Sequence, residues 1–492
     1  MVRNAFLKSS ISAMAVATLL PRAQRSLASE VIEFRLTSAP LALSPLPGAH
    51  FAGLAYNGSI PGPLLRATHG QRVRVRYASR VNIPTSVHWH GMILPNAMDG
   101  VGYVTQPPVF AGGEFVYEFS PNPPGTRWYH DHAFHMGIAR GLFGMFIVDD
   151  PSDEPADKEF ALVFHDVPQW SSIEAAKRGV SGIPMPMLPG SPEALSMMKS
   201  ASAMPEMQGI SAMRRRAKMG DEVAYLAHCI DGATYPRTRR LAVRSGDRVR
   251  LRILNASLTQ TRYVRLAGHR LMVTHSDGNR LESPIEVEAL RIGVGERYDA
   301  YFEVRKPGAF LLQGLTGGPI AHQQAALLYT EGMENAPPAE SPESLVGVDY
   351  FTYQKAAGGG TAPSAAPVGS LRYDLTLDGD AWGSNRWTIN GAVWPKTPKI
   401  LVRRGDHISV HFKNLSDMDH PMHLHGHVFE LVEVGGTWFA RSLSKDVSIV
   451  PANGGTTTWR FTAAAPSGRW LLHCHNDIHA MDGMMAEVRY ES

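Results

Sequence analysis

An internal repeat constrains the fold of this chain more than any other feature of its sequence. Three segments each begin with glycine and a polar residue and then alternate apolar with polar side chains; they are residues 70–75, 246–251 and 405–410. A period of two is typical of a half-buried strand, and the leading glycine indicates the turn before it. The wide and similar intervals between the segments predict three copies of one β domain.

Composition favours the same fold class. Charged residues make up 19% of the 492 positions, and the chain contains 46 glycines and 35 prolines. This balance is typical of an all-β protein with many loops. The length suffices for three domains that each bury a core. We expect domains at 29–152, 153–340 and 371–492, with a linker at 341–370 that is rich in Gly, Ala, Pro and Ser.

The net charge and the number of cysteines exclude a nucleic acid as partner and a disulfide-bonded scaffold. The formal net charge is only +3, which provides no basic surface for a nucleic acid. The chain has two cysteines, so a scaffold held by disulfide bonds is excluded.

The first 28 residues have the features of an export signal. Arg3 and Lys8 precede a short apolar run at 11–20, and residues 26–28 are small enough for cleavage. The stretch at 3–8 resembles a twin-arginine signal with Asn4 in place of the second arginine. We therefore expect a periplasmic or secreted protein. No later segment has the pattern of a membrane anchor.

Histidine placement predicts metal binding. The chain has 21 histidines, and random placement would give about one His-x-His pair. Five such pairs occur: His88/His90, His130/His132, His423/His425, His425/His427 and His473/His475. His88 follows Gly70 by the same offset as His423 follows Gly405, whereas Val264 stands at this offset in the middle copy. The first and third domains are therefore predicted to carry the ligands.

The segment around Cys474 predicts two metal centres on opposite faces of one strand. Alternate residues of a strand project to opposite faces, so His473 and His475 point one way and Cys474 the other. His479 and Met484 follow on the thiolate side, and His420 supplies a further strong ligand. Two imidazoles, a thiolate and a weak thioether form the blue-copper pattern. Zinc is the alternative metal, but it has little use for the other paired histidines.

These motifs resemble the four copper motifs of the three-domain multicopper oxidases. The matching stretches are 88–91, 128–132, 420–426 and 473–475 with His479 and Met484, supported by 99–100, 125–126, 295–299 and 445–446. The resemblance extends from about residue 30 to the C-terminus and excludes the linker and a methionine-rich insert at 181–220. It implies three cupredoxin-like Greek-key β-sandwich domains, with four copper ions in the third domain and between the first and third.

The resemblance also implies a role for each ligand. The type 1 copper would be held by His420, Cys474, His479 and Met484. The type 2 copper would be held by His88 and His423. The type 3 pair would be held by His90, His130 and His475 on one ion and by His132, His425 and His473 on the other.

The implied reaction oxidises a one-electron donor at the type 1 copper and reduces O2 to two waters at the other three. Asp99 and Asp477 stand where the family places acids that relay protons. The alternative interpretations are a turn aspartate before Gly100 and an aspartate that starts a helix.

The insert at 181–220 bears on the identity of the donor. It holds eight methionines, and thioether sulfur is a soft ligand for Cu(I). Similar segments in the copper-resistance branch of the family imply oxidation of Cu(I), although that branch carries them nearer the type 1 copper. Laccase-like oxidation of phenols or aromatic amines is the alternative, with the methionines packing a helical lid. A non-catalytic copper-sequestering protein would use the methionines but would not need the paired histidines.

Overall fold

The computed structural model of the chain describes residues 31–133, 136–171, 223–315, 324–341, 370–379 and 386–491. The predicted export signal, the methionine-rich insert and all but the two ends of the predicted linker lie outside these residues. Across the described ranges, no helix is long and apolar enough to span a bilayer.

The first domain is a sandwich of two four-stranded sheets. One sheet has the order β2-β1-β4-β6 and the other β3-β8-β7-β5. Its strands are β1 (Val31–Leu43), β2 (Phe51–Tyr56), β3 (Leu65–Thr68), β4 (Arg72–Ser79), β5 (His88–His90), β6 (Glu114–Phe119), β7 (Gly125–His130) and β8 (Phe143–Asp149). A short helix, α1 (Gly137–Arg140), precedes β8, and a single turn of 3-10 helix spans Asn96–Met98.

The second domain packs a six-stranded sheet on a five-stranded sheet. The orders are β10-β9-β12-β17-β14-β15 and β11-β19-β18-β13-β16. The strands are β9 (Lys158–Pro168), β10 (Tyr225–Ile230), β11 (Leu241–Val243), β12 (Arg248–Asn255), β13 (Arg262–Leu266), β14 (Leu271–Ser276), β15 (Asn279–Val287), β16 (Leu290–Ile292), β17 (Arg297–Glu303), β18 (Ala309–Leu315) and β19 (Ala325–Thr330).

The third domain repeats this arrangement with orders β21-β20-β23-β28-β25-β26 and β22-β30-β29-β24-β27. The strands are β20 (Leu371–Gly379), β21 (Trp387–Ile389), β22 (Lys399–Val402), β23 (His407–Asn414), β24 (His420–Leu424), β25 (Phe429–Val434), β26 (Thr437–Lys445), β27 (Val447–Val450), β28 (Thr456–Thr462), β29 (Arg469–Cys474) and β30 (Met485–Tyr490). Between β29 and β30 lies helix α2 (Asp477–Met481).

The strand pairings confirm three copies of one all-β domain. The first strand of each copy pairs in parallel with the strand of the repeated segment, as β1 does with β4, β9 with β12, and β20 with β23. The glycines that open these segments, Gly70, Gly246 and Gly405, have φ angles of 87°, 92° and 93°. Such angles favour glycine because it lacks a Cβ atom, and this explains why the turn recurs in the sequence.

The alternation of apolar and polar residues within the repeated segments corresponds to half-buried strands, as predicted. In β4, Val73, Val75 and Tyr77 are buried. Arg72, which precedes Val73, and Arg76, which lies between Val75 and Tyr77, are exposed. One face of the strand therefore joins the sandwich core and the other meets solvent.

Candidate metal centres

Four strands, two in each outer domain, carry most of the predicted ligands. In the first domain β5 pairs with β7, and His88 lies opposite His130. In the third domain β24 pairs with β29, and His423 lies opposite His473. The corresponding strands of the middle domain, β13 and β18, place Val264 opposite Gly314. The repeat therefore explains both where the ligand strands lie and why the middle domain lacks them.

Eight imidazoles from the first and third domains meet in one buried cluster, which we call the histidine cluster. Its members are His88, His90, His130, His132, His423, His425, His473 and His475, each at most 8% exposed. Their ligand atoms form triads whose members lie within 4.8 Å of one another: His88/His90/His423, His90/His130/His475 and His132/His425/His473. The second and third triads are the two sets predicted for the type 3 ions.

Hydrogen bonds hold most of these rings by the Nδ1 atom. His88 Nδ1 donates to the carbonyl of Asp99 at 2.7 Å, and His423 Nδ1 donates to the carbonyl of Asp446 at 2.8 Å. His130 and His473 bond in the same way to the carbonyls of the residues that follow them. Anchoring of Nδ1 leaves Nε2 facing the interior of the cluster, which is how protein groups orient metal-binding imidazoles.

His90 is held in the opposite orientation. Its Nε2 lies 3.0 Å from the Asp446 carboxylate, so its Nδ1 faces the cluster. Within the histidine cluster, the buried nitrogens that have no hydrogen-bond partner among the described residues are His90 Nδ1 together with Nε2 of His88, His130, His423 and His475. Buried polar atoms without partners are costly unless something binds them. Five such nitrogens aimed into one cluster fit metal ions.

The protonation state of the cluster suits metal binding as well. Burial lowers the pKa of His90, His423 and His425 well below the ordinary value, and neighbouring imidazoles lower it further. Burial also lowers the pKa of His473 to about 4. These rings are therefore neutral near pH 7, and each has a lone pair available for a cation.

A second donor set lies on the other side of Cys474. Its Sγ atom is 3.7 Å from His420 Nδ1 and 3.6 Å from His479 Nδ1, and the two nitrogens are 3.0 Å apart. All three side chains are fully buried. Met484 is buried beside them, and main-chain hydrogen bonds join it to Cys474 and His479. A thiolate with two imidazoles is a soft donor set that suits copper.

The two donor sets share the end of one strand. His473 and His475, which flank Cys474 in sequence, belong to the histidine cluster, whereas Cys474 belongs to the other set. The structure therefore brings together the two sets of side chains that the alternation along this strand predicts.

The two predicted acids have different surroundings. Asp99 is buried, and its Oδ2 lies 3.0 Å from His425 Nδ1. Asp477 starts helix α2, and its main-chain N–H donates to the carbonyl of Leu258. Asp477 also lines a cavity of about 30 Å³ together with His132 and His475, which is room for about one or two waters.

Sequence reasoning missed two acids beside the cluster. Asp131 lines the same cavity, and burial raises the pKa of its carboxyl to about 7. The Asp446 carboxylate accepts a hydrogen bond from His90 at 3.0 Å. It also accepts one from each terminal nitrogen of Arg297, both at 2.6 Å. Both acids lie in stretches that match the family, at 128–132 and 445–446, and this was the available signal. The role of Asp446, however, depends on contacts with His90 and Arg297, which are distant from it in the sequence.

The middle domain contributes to the cluster through Arg297 and Gly295. Arg297 at the start of β17 is fully buried and forms the ion pair with Asp446. A Cβ atom on Gly295 would lie 2.9 Å from the His475 ring, so glycine lets the backbone of the middle domain approach that imidazole. The middle domain, whose described residues contribute none of the clustered ligands, therefore supports the ligands of its neighbours.

Comparison with known proteins identifies the family. Sequence models described as "Multicopper oxidase" match residues 41–153, 202–331 and 367–492. Multicopper oxidase MmcO of Mycobacterium tuberculosis is 34% identical over 98% of this chain and 92% of its own length. A copper resistance protein A homolog of Pseudomonas syringae pv. tomato is 25% identical over 93% of this chain and 92% of its own length.

Other relatives are laccases. Laccase-4 of Thanatephorus cucumeris is 28% identical over 86% of this chain and 83% of its own length. The structure of a laccase from Botrytis aclada has a TM-score of 0.74 at 21% identity and covers 93% of this chain and 87% of its own. The latter likeness concerns the fold and confirms cupredoxin-like domains. This chain is therefore a member of the multicopper oxidase family, oxidoreductases that use copper as their cofactor.

Proposed function

We propose that this enzyme oxidises Cu(I) to Cu(II) with O2 as the electron acceptor. The observation that carries the proposal is the pair of buried donor sets joined through Cys474, one with a thiolate and one with eight imidazoles. The first set suits a copper that accepts one electron at a time. The second set has enough ligands for several ions at the place where O2 would be reduced.

We assign four coppers to these sets. The type 1 ion would be held by His420, Cys474, His479 and Met484. The type 2 ion would be held by His88 and His423, and the type 3 ions by His90, His130 and His475 and by His132, His425 and His473. When bound, the coppers supply the one-electron redox chemistry by which four donors reduce one O2, with four protons, to two waters.

The chain's own residues would conduct electrons between the centres. Cys474 lies between His473 and His475 in sequence, so the path from its thiolate to either imidazole follows covalent bonds of the backbone. The full burial of Cys474 keeps water away from this path and protects the thiolate from other chemistry.

Buried carboxylates would deliver the protons. The carboxylate of Asp99 accepts a hydrogen bond from His425 at 3.0 Å, so it is within reach of the reacting groups. Asp477 and Asp131 line the small cavity beside His132 and His475. A carboxyl whose pKa is raised to about 7, as for Asp131, can both hold and release a proton near neutral pH.

Three observations favour Cu(I) as the donor. The insert at 181–220 holds eight methionines, which are soft ligands. Trp170 and Val223, which flank the insert, belong to an apolar cluster with Ile478 and Met481 of helix α2. These residues, one before and one after the insert, therefore lie beside the helix that carries His479. Two relatives are named copper resistance proteins.

Laccase-like oxidation of phenols or aromatic amines is the second candidate, because several relatives are named laccases. Oxygen uptake by the copper-loaded enzyme distinguishes the two, with Cu(I) and 2,6-dimethoxyphenol compared at equal concentration. We expect clearly faster uptake with Cu(I). Faster uptake with the phenol would contradict the proposal and favour the second candidate.

We also propose that the protein is exported before it binds its donor. Residues 1–28 have a basic start, an apolar core and small residues for cleavage. Cell fractionation of the full chain tests this proposal, with mature protein expected outside the cytoplasm. Retention of the uncleaved chain in the cytoplasm would contradict it.

A further inference from the structure

An aromatic side chain that sequence reasoning did not single out covers the Cys474 donor set. The indole of Trp387 stacks on the imidazole of His479, with ring centroids 3.6 Å apart and planes inclined by 29°. The same indole meets the ring of His420 edge-on at 5.5 Å. Trp387, His420 and His479 are all 0% exposed. One indole therefore contacts both imidazoles of this donor set.

The remaining edges of the two imidazoles are also covered by the protein. His420 Nε2 lies 2.8 Å from the hydroxyl oxygen of Ser416. His479 Nε2 lies 3.1 Å from the side-chain amide nitrogen of Asn476. No edge of either ring faces solvent, because both rings are fully buried. A donor that needs van der Waals contact with an imidazole cannot reach either ring in this structure.

The surrounding backbone is shaped to hold the indole in this place. Trp387 opens β21 and lies opposite Gly379 of β20. A Cβ atom on Gly379 would come within 2.2 Å of the indole, so only glycine at 379 leaves room for the ring. Within the described part of the chain, the indole N–H is buried and has no hydrogen-bond partner. A buried donor without a partner is unfavourable, so hydrogen bonding does not explain the presence of the tryptophan.

We propose that Trp387 is a specificity-determining residue that excludes aromatic donors from contact with the type 1 site. This inference rests on the type 1 assignment under the proposed function. Phenols and aromatic amines that would stack on His479 find that position taken by the indole. A cuprous ion needs no such stacking, because it transfers one electron across the packed ring and leaves as Cu(II), with no atom transferred.

Substitution of the indole tests the proposal. Trp387→Ala opens the face of His479, and we expect kcat/KM for 2,6-dimethoxyphenol to rise by about tenfold or more, a size typical of pocket discrimination. kcat/KM for Cu(I) should change much less. Trp387→Phe keeps an aromatic ring over His479 and should behave like the wild type. Trp438→Ala is the matched control, because Trp438 lies on β26 at the opposite edge of the same sheet.

A spectroscopic measurement, which does not depend on catalytic turnover, complements these kinetic assays. Electron–nuclear double resonance of the type 1 copper in D2O reports exchangeable protons near the ligands. Trp387→Ala should show new exchangeable coupling that the wild type and Trp387→Phe lack. If Trp387→Ala does not take up type 1 copper, Trp387→Leu, which keeps more of the buried volume but removes the ring, replaces it in both measurements.

The outcomes separate this inference from the proposed function. A blue variant of position 387 with unchanged phenol kinetics and no new solvent coupling would show that Trp387 is only a packing residue. The absence of type 1 absorption from the copper-loaded wild type would instead contradict the assignment on which the inference rests.

Discussion

Asp446 contacts two of the predicted copper ligands without being one of them. Its carboxylate accepts a hydrogen bond from His90, and its carbonyl accepts one from His423. Arg297 holds the carboxylate through two hydrogen bonds of 2.6 Å. Asp446 therefore sets both the position of two predicted ligands and the nitrogen that His90 presents. Groups that orient ligands in this way commonly change metal affinity by about 10–100-fold.

Replacement of Asp446 should therefore weaken the histidine cluster selectively. In Asp446→Asn, the buried Arg297 loses the closer of its two charged partners, Asp277 being the other, and His90 loses its charged acceptor. We expect copper affinity at the cluster to fall by about 10–100-fold, while the blue absorption of the Cys474 site remains. A copper titration monitored by paramagnetic resonance and by visible absorption measures both quantities. The control is Asp374→Asn, which alters an exposed carboxylate paired with Arg372. Wild-type copper content in Asp446→Asn would contradict the positioning role.

A buried histidine outside the predicted ligands should make stability depend on pH. Burial lowers the pKa of His165 to about 4, whereas an exposed histidine has a pKa of about 6.5. As the pH falls from about 7 to 4, the unfolded chain therefore binds a proton before the folded chain does. The free energy of unfolding should decrease by up to about 3 kcal/mol from this group.

His165→Gln isolates this effect. Glutamine does not titrate, and its amide oxygen can replace His165 Nε2 as the acceptor for the main-chain N–H of Gly232. We expect the variant to lose less stability than the wild type between pH 7 and pH 4. Denaturant unfolding at several pH values measures the difference. Identical pH dependence in both proteins would mean that His165 does not contribute to acid sensitivity.

At the scale of elements, the short helix that carries His479 is capped by a single side chain. Helix α2 has five residues, and the side-chain oxygen of Asn476 accepts hydrogen bonds from the N–H groups of Ile478 and His479. So short a helix has little stability of its own. The N-cap therefore determines where His479 lies relative to Cys474.

Loss of this cap should disturb the proposed type 1 site as well as the fold. Asn476→Ala should lower the free energy of unfolding by about 1 kcal/mol and change the type 1 resonance spectrum, because His479 loses its support. Asn476→Ser preserves the cap oxygen and should restore most of the stability. Thermal unfolding and paramagnetic resonance of the copper-loaded variants measure the two effects. An unchanged type 1 spectrum in Asn476→Ala would show that the cap does not position His479.

Some elements could be predicted from sequence because their signals are local. The alternation after Gly70, the paired histidines on β5 and β24, and the switch of faces at Cys474 all depend on neighbours a few residues apart. Strand periodicity sets which face each side chain occupies. These signals predicted an all-β fold and metal ligands on both faces of the strand at Cys474, whereas the full ligand sets were implied by the resemblance to the family.

Other parts of the site could not be predicted because they depend on distant contacts. His90 and Asp446 are separated by 356 positions, and no local pattern relates them. The stacking of Trp387 on His479 likewise follows from how β21 packs against α2. The sequence places the insert at 181–220 early in the second domain, and it does not show that Trp170 and Val223 on either side of the insert pack against helix α2 of the third domain.

At the scale of the whole molecule, the three domains have unequal roles. The first and third domains supply the predicted ligands. The middle domain supports them, because Arg297 pairs with Asp446 and the backbone at Gly295 lies against His475. A single cluster between domains can form only when both outer domains are in place, so copper binding and domain assembly are coupled. This coupling explains how a duplicated fold can support a reaction that no single domain could perform.

The most direct test of this account is oxygen uptake by Cys474→Ser with Cu(I) as the donor. The hydroxyl oxygen of serine is a far weaker ligand for copper than a thiolate. We expect the blue absorption and the oxidation of Cu(I) to be lost, while the circular dichroism spectrum and the copper of the histidine cluster remain. Full oxidase activity in this variant would contradict the assignment of Cys474 as the link between the two centres.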